Sequence, residues 1–462
     1  MFRKIVFIVS VIVFSLSTKA QTSWGKIDYK GEPWVKNISR PYEIERGMEG
    51  RHISLWASHG RFYDTTKEKW RWQRPPLFCT TEDLFTQTIV VPYLIPMLEN
   101  AGAVVFTPRE RDWQRHEVIV DNDDAKALVN YHEINVREKW TKAPAKGFSF
   151  HKGAYHDGEN PFQAGTARMV RATKKKDQAS IISYQPQIPE DGRYAVYVSY
   201  QTVEGSVDDA HYTVWHNGQK TEFKVNQQMG GSTWVYLGTF NFAAGCNEQN
   251  RVELSNYSSH KNGIVTADAV RFGGGMGNIA RGGKVSGFPR CLEGARYYAQ
   301  WAGMPYDVYG RREGLNDYAD DINCRSHMTN LLAGGSCYAP DSVGRHVPIE
   351  LSLGVHSDAG YTPTGEGVYG TLTICTTKKG DATLATGLSR TMSTDLATAL
   401  LNNIATDLQY RYGDWNVRRV KDDNYSETRL PIVPSSILET MSHQNFGDLC
   451  YGFDPNFRFT LA

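Results

Sequence analysis

The chain has no surplus of either charge. Its 51 Lys and Arg stand against 50 Asp and Glu, a formal net charge of +1 at pH 7. Three of the positive charges (Arg3, Lys4 and Lys19) fall in the first twenty residues, which hold no acid, so the remainder is slightly acidic. A chain without a basic surplus is a poor match for general nucleic-acid binding. No pair of its seven cysteines has CxxC spacing, which excludes a structural zinc knuckle. Cys324 and Cys337 are near enough in sequence to bridge, and an odd count leaves at least one thiol unpaired. Beyond the N-terminus no stretch approaches the roughly 20 apolar residues of a membrane-spanning helix. Disorder as a whole is also excluded, because 40% of the 462 residues are hydrophobic and only 22% are charged.

The one sustained apolar run, Ile5 to Leu16, follows Arg3-Lys4 and precedes Thr18 and Ala20. That is the layout of a cleaved secretion signal over residues 1–20. It predicts an exported protein, periplasmic or extracellular, with no stable membrane span.

Three textures follow. Residues 21–116 alternate strand, helix and strand: HISLWAS ends at His59-Gly60, TEDLFTQTIVVPYLIPMLENAG has a near-helical apolar period bent at Pro92 and Pro96, and AVVF is a second strand. Residues 117–283 change to short alternating segments, with Asn217-Gly218 as the clearest hairpin signal, and read as an all-β sandwich. Residues 284–462 return to α/β texture. CLEGARYYAQWAGM, DDINCRSHMTNLL and part of ATLATGLSRTMSTDLATALLNNIATDL are predicted helices, and VPIELSLGVH and RLPIVPSSILE are predicted strands. The expected architecture is an open, mixed-sheet α/β domain split by an inserted β-sandwich.

Three apolar strands end in a residue capable of metal or proton chemistry: His59, His356 and Glu439. Beyond the carboxyl ends of strands in an open α/β sheet, distant residues converge. Glu82 opens the helix after the first strand and points at the same rim, although it also reads as a favourable charge on a helix N-terminus. Two imidazoles and a carboxylate make a catalytic zinc set, and a further carboxylate is needed to move protons. His59, Glu82 and His356 fill the ligand roles and Glu439 the acid/base role. His443, four residues on, reads as a loop residue without catalytic duty.

HISLWASHGRFYD, TEDLF…MLENAGAVVFTPRERD, LSLGVHSDAG…GEGVYGT and SSILETMSHQN resemble, in order, the motifs of the zinc-dependent N-acetylmuramoyl-L-alanine amidases. The resemblance implies Zn2+ on His59, Glu82 and His356, catalysis by Glu439, and peptidoglycan or muropeptides as partners. Where that family shows Gly-His-Gly-Gly, this chain has Ser58-His59-Gly60-Arg61, and after Glu439 no closing helix is expected in FDPNFRFTLA. The block QIPEDGRYAVYVSY…GIVTADAVRF resembles the golvesin C-terminal-like sandwich, which implies an accessory module contacting glycan. Tyr200, Tyr212, Trp215 and Trp234 read equally as core residues or sugar platforms. Two rival functions remain: a non-catalytic wall- or glycan-binding protein, and a polysaccharide lyase.

Overall fold

The computed structural model describes residues 27–44, 47–124 and 130–462, so the secretion signal expected at 1–20 lies outside the described residues. Among the described residues no helix is long and apolar enough to cross a membrane.

A six-stranded mixed sheet carries the strand ends singled out above. Its order is Val417–Asp422, Thr371–Cys375, Ser435–Ser442, Ile349–Asp358, His52–Ala57, Val104–Phe106. Ile349–Asp358 runs parallel to both His52–Ala57 and Ser435–Ser442, whereas Thr371–Cys375 is antiparallel to Ser435–Ser442. All six residues of His52–Ala57 are buried, as expected of a strand covered on both faces. Ser54 bonds Thr329 of the helix Asp317–Ala333 at 2.7 Å. Its neighbours Ile53 and Leu55 cluster instead with Leu400 and Ile404 of the helix Met392–Tyr412. Successive side chains alternate across a strand, so the two helices cover opposite faces.

The segment after the first strand is helical but broken, into Glu82–Phe85, Gln87–Ile89, a wide turn Val90–Leu94 and Ile95–Asn100. Pro92 lacks an N–H for the ladder, and the helix widens around it.

Apart from Val35–Asn37, the strands of the remaining larger sheets lie between Val104–Phe106 and Ile349–Asp358 in sequence. One has six strands, in the order Val35–Asn37, Gln219–Val225, Ala210–His216, Arg251–Ser255, Ile181–Tyr184, Tyr131–Ile134. Another has four: Val235–Phe242, Gly192–Val198, Val270–Phe272, Val118–Val120. Both contribute to one core, including Val196, Val198, Val214, Phe223, Leu254 and Phe272. A third sheet holds Ile264–Ala267, Gly165–Arg171 and Thr141–Gly147. Asn217 and Gly218 both have positive φ (50° and 77°), the two-residue turn that matches the twist of the paired strands. Tyr200, Tyr212 and Trp234 are buried and Trp215 is half-buried, so the first three belong to the core and are not sugar platforms.

Three features differ from expectation. Val35–Asn37, placed by its sequence with the first α/β stretch, pairs antiparallel with Gln219–Val225 and extends the sandwich sheet. Three residues are too short for a period to register. Second, the chain beyond Glu439 does form helices, Phe446–Gly452 and Pro455–Leu461. Asp454 caps the latter by accepting from Asn456 N, Pro455 occupies the first turn, and Phe457 and Leu461 pack with Phe85, Trp415 and Met441. Third, the strands expected to end at His356 and Glu439 run on to Asp358 and Ser442; the sequence left the cysteines open, and all seven are free, Cys324 and Cys337 included.

The sandwich buries two carboxyls that oppose its stability in alkali. Asp268 is fully buried, accepts from the Phe148 N–H at 3.0 and 3.1 Å, and is pushed by burial up to about 7. Asp121, also buried, is raised first by burial and then by the Asp268 charge, and neither of its oxygens has a partner. The native state therefore holds these protons more tightly than the unfolded chain. Asp268's contribution is fully present below about pH 4 and is lost as pH rises through about 7. Asp268→Asn is expected to flatten the fall in Tm between pH 5 and 8. Parallel melting profiles for both proteins would contradict this.

Candidate metal centre

His59 lies just past the end of the His52–Ala57 strand, where Ser58 N still donates to Val355 O at 2.7 Å. The residue after it must be glycine, since a Cβ at Gly60 would sit 2.5 Å from the Glu293 carbonyl. His356 and Glu439 are direct partners across the parallel strands Ile349–Asp358 and Ser435–Ser442. Glu82 is the first residue of its short helix and is buried.

These four positions meet at one rim. Glu82 Oε1 lies 2.8 Å from His356 Nδ1 and 3.6 Å from His59 Nε2. The two imidazoles are edge to face, with centroids 4.9 Å apart. One donor atom from each of His59, Glu82 and His356 falls within 4.8 Å of the others, and all three side chains are buried. Glu439 is half-buried beside them, and its Oε2 is enclosed without a hydrogen-bond partner. Burial pushes the Glu439 carboxyl up to about 8; His356 opposes the rise, while Glu82, Asp358 and Glu427 add to it.

Two further residues complete the site, and sequence reasoning missed them. Glu427, in the four-residue helix Ser426–Arg429, places Oε2 2.7 Å from His356 Nε2. Glu427 Oε1 accepts from Trp56 Nε1 at 3.1 Å and from Arg325. Burial opposes its ionisation, but Arg325 and His356 hold the carboxyl down at about 2. Arg325 is fully buried in Asp317–Ala333, pairs with Asp321 at 3.1 Å, and donates to Ser58 O at 2.6 Å and to His59 Nδ1 at 3.1 Å. No pattern in DDINCRSHMTNLL separates this arginine from one on a solvated face, and nothing in YSETRL marks Glu427.

Charge and hydrogen bonding differ between the two histidines. Burial, then Arg325 and Arg74, hold His59 well below its usual value, so it is neutral. A guanidinium only donates, so His59 Nδ1 accepts and the ring proton sits on Nε2, facing Glu82. His356 is held protonated, up to about 10, because Glu427 and Glu82 outweigh its burial. His443 is buried on the turn beyond Glu439, its Nδ1 2.9 Å from Ser357 O and 3.0 Å from Ser357 Oγ, so it braces the neighbour of His356.

A second group with donor atoms within 4.8 Å of one another is Asp208, Asp209 and His260. Within it His260 Nε2 lies 2.6 Å from Asp208 Oδ1, and Asp209 accepts from Ser258 Oγ and from Ser259 N.

The Golvesin C-terminal domain family matches residues 148–274, within the sandwich. A curated xanthan lyase of Bacillus sp. (strain GL1) is 31% identical over 91 residues, 20% of this chain and 10% of the lyase. The chain therefore spans about a tenth of that relative. The solved Paenibacillus xanthan lyase is 24% identical and aligns with 34% of this chain and 13% of its own, at a TM-score of 0.26. An N-acetylmuramoyl-L-alanine amidase from Clostridium difficile 630 is 15% identical and aligns with 24% of this chain and 51% of its own, at a TM-score of 0.19.

Proposed function

We propose that this chain is an exported, zinc-dependent hydrolase that cleaves the amide between N-acetylmuramic acid and L-alanine in peptidoglycan or muropeptides. In this reading the residues 21–116 and 284–462 form the catalytic α/β domain, and the sandwich inserted over 117–283 contacts glycan. The observation that carries the reading is the convergence of His59, Glu82 and His356 beside Glu439.

The donor set fits zinc. Two imidazoles and one carboxylate leave a coordination position for water, and the enclosed, unpartnered Glu439 oxygen faces a place where a polar group belongs. Two features resist: ligation through His59 Nε2 requires the Arg325 contact with Nδ1 to open, and His356, held protonated by Glu427 and Glu82, must give up a ring proton to ligate. Zinc at this position would lower the pKa of a bound water and polarise the scissile carbonyl. Glu439 would take the proton of the attacking water and return it to the leaving amine, a role suited to a carboxyl raised toward neutrality by its surroundings. Glu427, fixed by Trp56 and Arg325, would hold the His356 ring so that Nδ1 faces Glu82. Carboxylates behind ligating histidines set ring orientation and basicity. Glu427→Gln is expected to weaken zinc binding by about 10- to 100-fold with the fold retained. Competition titration with a zinc-sensitive dye measures this, and an unchanged Kd would remove Glu427 from the account.

The likeness to a xanthan lyase over 91 residues favours a second reading, a polysaccharide lyase. A lyase abstracts a sugar C–H proton without zinc and leaves an unsaturated uronate. One assay separates the two. The hydrolase reading predicts new amino termini released from peptidoglycan, abolished by chelator and restored by zinc. Chelator-insensitive ultraviolet absorbance from an acidic polysaccharide would select the lyase. Binding of peptidoglycan without release of peptides would select a non-catalytic wall protein.

A further inference from the structure

The loop that leads to Glu82 carries a backbone cost at its tip. Leu77 and Thr80 pair through two backbone hydrogen bonds (2.8 and 3.1 Å), closing a two-residue turn on Phe78 and Cys79. Both tip residues are left-handed, with φ of 47° and 66°. Such turns favour Asn and Gly, and non-glycine residues held there are strained. The tip is also apolar and exposed. Phe78 is 40% accessible, and Pro75, Pro76, Leu77 and Cys79 are exposed with it. Across from it Phe446, 54% accessible, meets Phe78 with ring centroids 5.7 Å apart at 58°.

Both rings are tethered to the candidate centre. Three residues separate Phe78 from Glu82, and Phe446 follows the strand that carries Glu439 after a short turn. Exposed aromatic rings close in sequence to the candidate centre, one of them on a strained turn, are features that binding selects and folding does not.

We propose that Phe78 and Phe446 form the glycan-side subsite of the centre, packing against the apolar C–H face of the muramic acid ring next to the scissile amide. This rests on the hydrolase reading above. The rings offer no hydrogen-bond donor or acceptor, so they suit the sugar's C–H face rather than the charged stem peptide.

Two substrates test this: a disaccharide-peptide muropeptide, and the same peptide bearing only a lactyl group. Phe78→Ala and Phe446→Ala are each expected to raise KM for the muropeptide at least fivefold, with kcat within twofold and zinc content unchanged. KM for the lactyl-peptide should stay within twofold. Cys79→Gly, which relieves one left-handed φ and keeps the ring, should raise Tm and leave both KM values unchanged. Equal losses on both substrates, or none, would overturn the subsite. Calorimetric binding of the muropeptide to Glu439→Gln, with and without Phe78→Ala, separates this failure from that of the parent reading. Ring-dependent binding by a protein that never hydrolyses would keep the subsite and sink the hydrolase. Binding that ignores the ring, or no binding at all, would overturn the subsite.

Discussion

Glu439→Gln is expected to abolish turnover, lowering kcat by about 10²- to 10⁴-fold, while the protein keeps its fold and its zinc. The substitution is close to isosteric and leaves the partnership with His356 across the parallel strands intact, since that pairing is made by the backbone. It also removes a titratable group that burial has already pushed up to about 8, so the packing loses little electrostatic support. What it removes is the ability to accept a proton from water and return it to an amine. Single-turnover assays with zinc-loaded protein read this directly. Activity within tenfold of the parent would assign the proton transfer to another group and contradict the role given to Glu439.

The second large effect is on the metal. His356→Ala is expected to reduce zinc from one ion per chain to a small fraction of that by elemental analysis. His356 is the histidine in closest contact with Glu82, at 2.8 Å, and it lies between Glu82 and Glu427. Its loss also leaves two buried carboxylates facing one another without the cation between them, a defect that costs roughly 3–5 kcal/mol when one partner of a buried pair is removed. His356→Asn keeps a polar side chain at the position and separates metal loss from unfolding. It should melt closer to the parent and still bind little zinc. Stoichiometric zinc in both variants would remove His356 from the ligand set.

The elements legible in the sequence were those whose physics is local. HISLWAS read as a strand because a strand buried on both faces is a continuous apolar run, and all six residues of His52–Ala57 are buried. Asn217-Gly218 read as a hairpin because few other pairs accept two positive φ angles. His59 follows the strand His52–Ala57, as an open sheet's rim leads one to expect, whereas His356 and Glu439 lie inside strands that run on to Asp358 and Ser442. What could not be read was decided by tertiary contact. Val35–Asn37 is a strand only because Gln219–Val225 offers it an edge. The helices Phe446–Gly452 and Pro455–Leu461 are too short to show a period, and Phe457 is buried by Phe85, Trp415 and Met441, none of them local. Arg325 and Glu427 were hidden for a related reason: a buried arginine paired to a carboxylate 102 residues away has the same letters as a solvated one.

The most direct test is anomalous scattering at the zinc edge from crystals of the zinc-loaded protein. The account predicts one strong peak within coordinating distance of His59, Glu82 and His356, with Glu439 facing it and not ligating it. A peak between Asp208, Asp209 and His260 alone, or none near the sheet rim, would contradict it.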